Sequence, residues 1–295
     1  MNHAQIRAFH AVATQGSFTK AARALGVSQP AVTFQMKALE ETYGIALVDR
    51  RGHRLRLTDL GERLLEVTRR IFACEQEADE LLSAARELCG GHLHVAADGP
   101  YHVMALLAAF IARYPGVRVS VAMGNSRRVL ADLLEYRADV AVMAGVEADE
   151  RLYAIAFSCE PLVLFVARDH PWGQRTQVPI SELDGLPMVL REEGSITRRI
   201  FEAAITEAGV RPRVVLEIGS REALREAVAA GLGAGVVSAA ELGSDERLHT
   251  LSVSGASLES WEYVVCLKER RNLRGVGAFL ALVGEAGARR AAPAA

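Results

Sequence analysis

The stretch LGVSQPAVTFQ, residues 25–35, decides the fold of the first part of the chain. Apolar residues on both sides of it follow a helical spacing, yet Gly26 and Pro30 interrupt that pattern. Gly26 favours the left-handed conformation that ends a helix. Ser28 is suited to cap the next helix, and Pro30 falls in a first turn, where its missing N–H costs nothing. The stretch therefore predicts two short helices joined by a tight turn, the helix-turn-helix arrangement.

The second of these helices has an outward face of polar and mixed side chains. Such a helix fits the major groove of DNA and leads with its N-terminal residues. Thr33 and Gln35 can hydrogen-bond base edges, and Ala31 or Phe34 can contact a thymine methyl group. A packed helical hairpin without a ligand is the alternative that the pattern leaves open. The residues expected to face DNA are Ser28, Gln29, Pro30, Thr33, Phe34 and Lys37.

The next stretch, VDRRGHRLRLT (residues 48–58), alternates apolar and basic residues around Gly52 and predicts a β-hairpin. Contact with phosphates explains this density of like charge better than folding does, so we expect Arg51 and Arg54 on the DNA backbone. Residues 1–65 carry nine Lys and Arg against five Asp and Glu, although the whole chain has a net charge of −2. Residues 1–58 are therefore predicted to form an all-α winged helix-turn-helix domain that binds a polyanion.

A long helical stretch follows, from Thr58 to the pair Gly90 and Gly91. Apolar residues recur in it by steps of three and four, and charged residues fill the other positions. We expect residues 59–90 to form a linker helix that pairs with the same helix of a second subunit. Packing on the C-terminal part of its own chain is the alternative. The apolar seam consists of Leu64, Val67, Ile71, Cys74, Ala78, Leu81, Ala85 and Leu88.

From Gly91 the pattern changes to short apolar strands that alternate with helices, which predicts βαβ units on a parallel sheet. Ligands of such α/β domains bind beyond the carboxyl ends of strands, at helix N-termini. Four strand-to-helix junctions carry suitable residues and together predict an oxyanion site, although ordinary capping explains each junction taken singly. The expected effector-binding residues are Tyr101, Asn125, Ser126, Ser195, Thr197, Arg198, Ser220 and Arg221.

Composition and motifs argue against other classes of protein. No apolar run approaches the roughly 20 residues that span a bilayer, and the first residues lack a signal-peptide pattern, so we expect a cytoplasmic protein without membrane contact. His92 and His94 have no third metal ligand nearby in the sequence. The HExxH, G-x-S-x-G and P-loop motifs are absent. We therefore expect no catalytic residue, no metal and no cofactor. A solute-binding protein or an enzyme is the remote alternative, and it leaves residues 1–90 unexplained.

Residues 9–65, FHAVATQGSFTKAARALGVSQPAVTFQMKALEETYGIALVDRRGHRLRLTDLGERLL, resemble the N-terminal module of LysR-type transcriptional regulators. The match extends over residues 1–90 nearly without gaps. It implies double-stranded promoter DNA as a partner, with Gln29, Pro30, Thr33 and Phe34 at the DNA and the wing arginines on phosphates. The sequence departs from the family at Phe34, where many members carry a polar or basic residue. The resemblance also implies homodimers that assemble into homotetramers, and RNA polymerase as a further partner.

For the rest of the chain, the same resemblance implies a two-lobed, periplasmic-binding-protein-like effector domain over residues 91–288. Lobe I would comprise residues 91–166 and 265–288, and lobe II residues 167–264. The chain would cross between the lobes near residues 167 and 265, and the effector would lie in the cleft between them. Residues 289–295 are expected to be a disordered tail.

The segments DGPYHV, MGNS, GSITR and EIGSREALREAVAAGLGAGVVSAAE resemble the LysR-type branch associated with 2-aminoethylphosphonate catabolism. This resemblance implies a phosphonate effector, with Asp98 or Glu222 near its ammonium group. A small carboxylate or an amino acid is the alternative effector, because the same oxyanion site would accept it. The phosphonate would contact Ser126, Ser195, Thr197 and Arg198 or Arg221.

Overall fold

The computed structural model describes residues 1–49, 55–82 and 91–291. The chain divides into two compact units, Met1–Ala85 and Arg86–Ala295. Some sequence predictions concern residues outside the described ranges: Arg51 and Arg54 of the wing, Ala85 and Leu88 of the seam, and residues 292–295 of the tail. The seam residue Leu81 belongs to a described helix, but its side chain is not among the described ones.

The first unit begins with three helices, and the predicted breaks between them are confirmed. Gly26 has a φ of 67° at the end of the second helix, and the Ser28 side chain accepts a hydrogen bond from the Ala31 N–H at 3.4 Å. Gly44, with a φ of 63°, ends the third helix. The helices are α1 (His3–Gln15), α2 (Phe18–Leu25) and α3 (Gln29–Tyr43).

An antiparallel pair of short strands, β1 (Val48–Asp49) and β2 (Arg56–Leu57), follows the three helices at the predicted position of the wing. Thr58 then caps the long helix α4 (Asp59–Leu82), because its Oγ1 accepts a hydrogen bond from the Gly61 N–H at 3.1 Å. The apolar sides of the helices and of β1 share one core. The winged helix-turn-helix architecture follows from these elements.

The second unit contains an eight-stranded sheet in the order β4-β3-β5-β12-β6-β11-β7, with β10 also paired to β6, and a separate pair of β8 and β9. The strands are β3 (His92–Ala97), β4 (Arg118–Met123), β5 (Val140–Ala144), β6 (Leu152–Ala167), β7 (Gln177–Pro179), β8 (Pro187–Arg191), β9 (Arg213–Ile218), β10 (Gly235–Ser238), β11 (Leu248–Ser254) and β12 (Glu259–Leu267). The helices are α5 (Pro100–Arg113), α6 (Ser126–Leu134), α7 (Ile196–Glu207), α8 (Arg221–Ala229), α9 (Ala239–Leu242) and α10 (Arg274–Ala291).

The prediction of a parallel sheet is wrong for the middle of this unit. β3 pairs in parallel with β4 and β5, and β8 pairs in parallel with β9. In contrast, β10, β11 and β12 all run antiparallel to β6. The sheet is mixed because the chain leaves along β6 and returns along β12 in the opposite direction.

The strand β6 belongs to both halves of the unit. Its residues 152–161 pair with β12, and its residues 162–167 pair with β10 and β11. At the change of partner, the Leu162 N–H donates to the Leu258 carbonyl at 2.7 Å. We therefore name residues 91–161 and 259–291 lobe I, and residues 162–258 lobe II. In this division the chain passes between the lobes at residues 161–162 and 258–259, where the expected positions were near 167 and 265.

Each lobe has its own apolar core. Phe110 and Phe279 are fully buried in lobe I, and Phe201 is fully buried in lobe II. Within the described ranges, no helix combines the length and the apolarity that crossing a bilayer requires.

Candidate functional site

The exposed face of α3 carries the residues that were expected to face DNA. Phe34 is 68% exposed, which is unusual for a large aromatic side chain. Thr33 is half-buried, whereas Val32, Met36 and Leu39 lie in the core. One side of α3 thus packs in the core, and the opposite side is exposed and can contact a partner. The other expected positions, Ser28, Gln29, Pro30 and Lys37, are all exposed.

One contact on this surface was not expected from the sequence. The Thr19 hydroxyl, near the start of α2, donates a hydrogen bond to Gln29 Oε1 at 3.0 Å. The Gln29 amide oxygen is therefore occupied, while its amide hydrogens remain donors for another acceptor. Lys20 and Arg23 of α2 are exposed as well, so positive charge flanks the start of α3.

The apolar seam of α4 is only partly covered within the chain. Leu64 is half-buried, whereas Val67 and Ile71 are exposed. Cys74 and Ala78 are exposed too. A stripe of this kind on a helix is typical of a surface that packs against another helix.

A cavity of about 420 Å³ lies between the two lobes. Lobe I lines it with the start of α6 and the end of β5, and lobe II lines it with the loop after β8 and the first turn of α7. Ser126, Ser195 and Arg198 are the sequence-predicted residues that line it. This is a concave site of the size that a small metabolite needs.

The first turn of α7 has no side-chain cap, unlike two other helices at this cleft. Asn125 caps α6 by accepting from the Arg128 N–H at 3.0 Å, and Ser220 caps α8 by accepting from the Ala223 N–H at 3.2 Å. Ser195 stands at the corresponding position of α7, and its side chain makes no capping hydrogen bond. The positive end of the α7 dipole therefore faces the cavity without an internal acceptor.

Ser195 and Thr197 are each only 6% exposed. In the part of the chain that the structure describes, neither hydroxyl has a hydrogen-bond partner. Buried hydroxyls normally find a partner, so the Ser195 hydroxyl, which lies on the cavity, is available to a ligand. Ser195 lines the cavity, whereas Thr197 is buried beside it, on a helix that packs against β12 of lobe I.

The arginines around the cavity differ in what they contact. Arg198 is occupied by its own lobe, because it pairs with Glu202 at 2.7 Å and with Glu217 at 2.6 Å. Arg199 crosses the cleft to pair with Glu147 of lobe I. Arg127 lines the cavity, and no described carboxylate pairs with it. Arg127 was missed in the sequence, although it directly follows the Asn-Ser pair that starts α6.

A second polar group lies next to the cavity. Asp98 is 6% exposed, and its Oδ2 accepts hydrogen bonds from the Ser126 hydroxyl at 2.6 Å and from the Ala144 N–H at 2.9 Å. Burial raises the pKa of Asp98 above its ordinary value. Arg221 of lobe II donates to the Asp98 carbonyl and pairs with Glu241 Oε2 at 2.8 Å.

Glu262 of β12 completes this group and was also missed in the sequence. It is 5% exposed. Burial, followed by the nearby charges of Asp98 and Glu241, raises the pKa of Glu262 to about 8. His102 Nε2 lies 4.0 Å from its Oε1. An acid near the start of the otherwise apolar run WEYVVC was the signal that could have identified it.

The remaining predicted residues have other positions. Tyr101 is exposed on α5 and is not among the residues that line the cavity. Asn125 donates across the cleft to the Glu193 carbonyl at 3.4 Å. The Ser220 hydroxyl donates to Glu222 at 2.7 Å, and Glu222 itself is exposed. His92 and His94 stack with their ring centroids 4.0 Å apart, and His94 contacts Asp139.

Comparison with known proteins supports two family assignments and several relatives. Residues 3–62 match the "Bacterial regulatory helix-turn-helix protein, lysR family", and residues 86–288 match the "LysR substrate binding domain". The transcriptional regulator CbbR of Rhodospirillum rubrum is 33% identical over 97% of this chain and 96% of its own. The transcriptional activator CmpR of Synechocystis sp. is 32% identical over 90% of each chain.

Solved structures show the same fold. Full-length CbnR in complex with its target DNA aligns with a TM-score of 0.71 at 24% identity, covering 97% of this chain and all of that one. The regulatory domain of Synechocystis CcmR in complex with 2-PG aligns with a TM-score of 0.63 at 28% identity, covering 69% of this chain and all of that one.

These relatives are transcriptional regulators and not enzymes. Several others are named as regulators of RuBisCO operons, and none of those named is a phosphonate regulator, so the comparisons do not support the phosphonate branch. The two family matches together cover most of the chain, one on each unit. The chain belongs to the LysR family of transcriptional regulators and is a ligand-responsive, DNA-binding protein.

Proposed function

We propose that the regulator binds promoter DNA through the exposed face of α3 and the wing, and that a small oxyanion occupies the cavity between its lobes. The observation that supports effector binding is the uncapped start of α7, where the hydroxyl of the buried Ser195 has no hydrogen-bond partner among the described residues. Arg127 supplies a positive charge at the same cavity. A dipole end, free hydroxyls and an uncompensated guanidinium together favour an anion.

The DNA half rests on the exposure of Phe34 together with the exposed polar residues of α3. Helices of this type place their first residues on base edges, and flanking basic residues contact phosphates. The DNA-contacting set in this proposal is Ser28, Gln29, Pro30, Thr33, Phe34, Lys37, Arg51 and Arg54. RNA polymerase is a further partner in it, as the family resemblance implies.

The assembly is part of the same proposal. The exposed seam of α4, with Val67, Ile71 and Cys74, supports a homodimer in which two copies of this helix pair. Homodimers then assemble into homotetramers. The proposed division of the chain is residues 1–58 for DNA binding, 59–90 for the linker and 91–288 for the effector domain.

The effector class in this proposal is a small molecule with a phosphonate, phosphate or carboxylate group. The structural likeness to CcmR in complex with 2-PG supports a phosphorus oxyanion. 2-Aminoethylphosphonate remains a candidate on its chemistry alone, because its head group has the same tetrahedral oxygens. A small carboxylate or an amino acid offers fewer oxygens to the same donors.

Calorimetric titration of the full-length protein tests the effector half. The probes are 2-phosphoglycolate, 2-aminoethylphosphonate, β-alanine and inorganic phosphate. We expect saturable binding of at least one of them, weakened about tenfold by Ser195→Ala and by Arg127→Gln, since each removes a donor to a charged group. Ser220→Ala is the matched control, because it removes a serine at a helix start outside the cavity. If the affinity is the same in Ser195→Ala and Arg127→Gln as in the wild-type protein, the proposed site is wrong.

Fluorescence anisotropy on promoter DNA at several salt concentrations tests the proposed DNA binding. We expect the affinity for DNA to fall steeply as the salt concentration rises. The double variant Arg51→Ala/Arg54→Ala should reduce the slope of log affinity against log salt concentration by about 1 to 2, and it should weaken binding to all DNA sequences by a similar factor. Thr33→Ala should instead relax the base preference. A flat salt response would refute DNA binding.

A further inference from the structure

Three buried carboxylates meet at the boundary between the lobes, next to the cavity. Asp98 and Glu262 come from lobe I, and Glu241 comes from lobe II. Arg221 is the cation that contacts this group, through Glu241 and the Asp98 carbonyl. Arg191 lies further away and is neutralised by Glu192, which it contacts at 2.8 and 2.9 Å. The group therefore has more acids than cations in a place shielded from water, which is costly unless something compensates.

Two of the three carboxylates are satisfied by the protein, and one is not. Asp98 accepts from Ser126 and from the Ala144 N–H, and Glu241 accepts from Arg221. Within residues 1–49, 55–82 and 91–291, no donor forms a hydrogen bond with the Glu262 carboxylate. The nearest basic nitrogen, His102 Nε2, is 4.0 Å away, which is too far for a hydrogen bond. A carboxylate on a side chain that is only 7% exposed needs either a proton or a cation to compensate it.

The strand pairing places Glu262 next to residues that adjoin the cavity lining. In the register of β5 and β12, Glu262 lies opposite Ala144, whose N–H holds Asp98. The next residue along, Gly145, lines the cavity, as does Ser126, the other donor to Asp98. Helix α7, which begins with the free hydroxyls of Ser195 and Thr197, packs against β12. Among the described residues, none of the three acids is itself part of the cavity lining, and Asp98 links them to it through its hydrogen bond with Ser126.

We propose that the cleft takes its effector as a zwitterion, with the oxyanion at the start of α7 and a protonated amine against Glu262 and Asp98. This inference rests on the oxyanion site proposed above and narrows its ligand class to short aminophosphonates and amino acids. A ligand with two anionic groups, such as 2-phosphoglycolate, would bring its second anionic group toward the buried acids and would supply no positive charge to compensate them when they ionise. A primary amine instead supplies three donors and one positive charge to the place that lacks both.

The amine replaces a proton, and this exchange can be measured. The pKa of Glu262 is raised to about 8 by burial and by the charges of Asp98, Glu241 and Glu160, while Arg221 opposes the shift. At pH 7 the free carboxyl is therefore mostly protonated. When the ammonium of the ligand donates to the carboxylate, the carboxyl proton leaves to the buffer and the ligand keeps its own protons. His102, which also faces this group, is the remaining titratable side chain there.

Calorimetry of the full-length protein at pH 7, in two buffers of different ionisation enthalpy, counts the protons released. The probes form two matched pairs that differ by the amine: 2-aminoethylphosphonate with ethylphosphonate, and β-alanine with propionate. We expect the amine of a pair to bind about tenfold more tightly or better, and to release close to one more proton per molecule bound. The pair of β-alanine and propionate gives the cleaner proton count, because both carboxylates are fully ionised at pH 7 and exchange no proton of their own.

The variant Glu262→Gln mimics the protonated carboxyl and should abolish the extra proton release and the preference for the amine. Glu222→Gln is the matched control, because Glu222 is an exposed acid at the start of α8. Equal affinities within each pair, with Ser195-dependent binding of ethylphosphonate or propionate, would keep the oxyanion site and overturn the zwitterion. Ser195-dependent binding of 2-phosphoglycolate in preference to both amines would do the same.

Discussion

Arg221, in lobe II, donates a hydrogen bond to the backbone carbonyl of Asp98 in lobe I. The same guanidinium pairs with the buried Glu241 of its own lobe. One side chain therefore both neutralises an acid inside lobe II and ties the two lobes together at the edge of the candidate effector site.

Replacing this residue should destabilise the effector-binding unit. In Arg221→Gln, the buried Glu241 loses its partner, and an unpaired buried charge costs about 3 kcal/mol of the free energy of unfolding. Urea unfolding at pH 7, followed by tryptophan fluorescence, measures this change. Trp172 and Trp261, the two tryptophans of the chain, both lie in the second unit, so the signal reports on that unit.

Arg247→Gln is the control for that measurement. Arg247 pairs with Glu226 at 2.7 Å and with Asp245 at 2.8 Å on the surface of lobe II. We expect little change in stability, because water screens exposed ion pairs and replaces them easily. Equal losses in the two variants would show that burial of the Arg221 pair has no special weight.

Two neighbouring residues of α3 should separate DNA binding from folding. Phe34 is mostly exposed, so Phe34→Ala should leave the melting temperature of the protein nearly unchanged while weakening DNA binding. Met36 is fully buried in the core of the first unit. Met36→Ala should therefore cost about 2–5 kcal/mol of stability. The readouts are thermal unfolding by circular dichroism and fluorescence anisotropy on DNA. Unaltered DNA affinity in Phe34→Ala would remove that side chain from the proposed contact surface.

Stability of the second unit should fall as the pH rises, in part because of Glu262. The folded protein holds a proton there with a pKa of about 8, whereas the unfolded chain holds it with a pKa near 4.5. The contribution is fully present below pH 4.5 and is lost as the pH rises through 8. Its slope inside this window is at most about 1.4 kcal/mol per pH unit.

Urea unfolding between pH 5 and 8.5 checks this, with Glu262→Gln as the comparison. Asp98 and Glu241 also have raised pKa values, mainly because of burial, and they contribute in the same direction in both proteins. The difference between the two curves therefore isolates Glu262. Parallel curves would mean that this carboxyl titrates normally in the folded protein.

For the first unit, we expect His10 to make the stability fall as the pH decreases, which is the opposite of the effect of Glu262 on the second unit. Burial, and secondarily the charge of Arg69, lowers the pKa of His10 to about 4, and its Nδ1 lies 3.0 Å from the Thr68 hydroxyl. The unfolded chain takes up the proton near pH 6.5, so this contribution is present above pH 6.5 and is lost as the pH falls through 4. An NMR titration of the histidine ring protons measures the midpoint, and His10→Asn assigns the signal. A midpoint near 6.5 would contradict the buried, neutral ring.

The helix-turn-helix could be predicted because its signals are local. Gly26, Ser28 and Pro30 each act on the backbone within a few residues of their own position, so the breaks between helices follow from short stretches of sequence. The antiparallel pairing of β6 and β12 could not be predicted in the same way. It depends on strands about one hundred residues apart, and the first half of β6 lacks the continuous apolar run of its second half.

In the candidate site, too, the residues with a local sequence signal could be predicted, and those placed by long-range contacts could not. Ser195 was expected from its place before a helix, and the structure puts it on the cavity. Glu241 and Glu262 were missed, because they are far from Asp98 in the sequence and only the folded structure brings the three together. Arg198 shows the converse, since its position suggested an anion contact while its actual neighbours, Glu202 and Glu217, occupy it.

The hydrogen bond between Leu162 and Leu258 also describes how the chain is threaded. The chain enters lobe II at Leu162 and leaves it at Leu258, and these two residues are hydrogen-bonded to each other. Lobe II is therefore one long insertion between β6 and β12, which pair with each other in lobe I. If residues 162–258 were replaced as one segment, the pairing of β12 with residues 152–161 would be left in place. Ser195 and Thr197 would be replaced with that segment, whereas Asp98, Ser126 and Glu262 would stay behind. In the proposed complex, lobe II would contribute the start of α7 to the effector site, and lobe I would contribute Arg127 and Glu262.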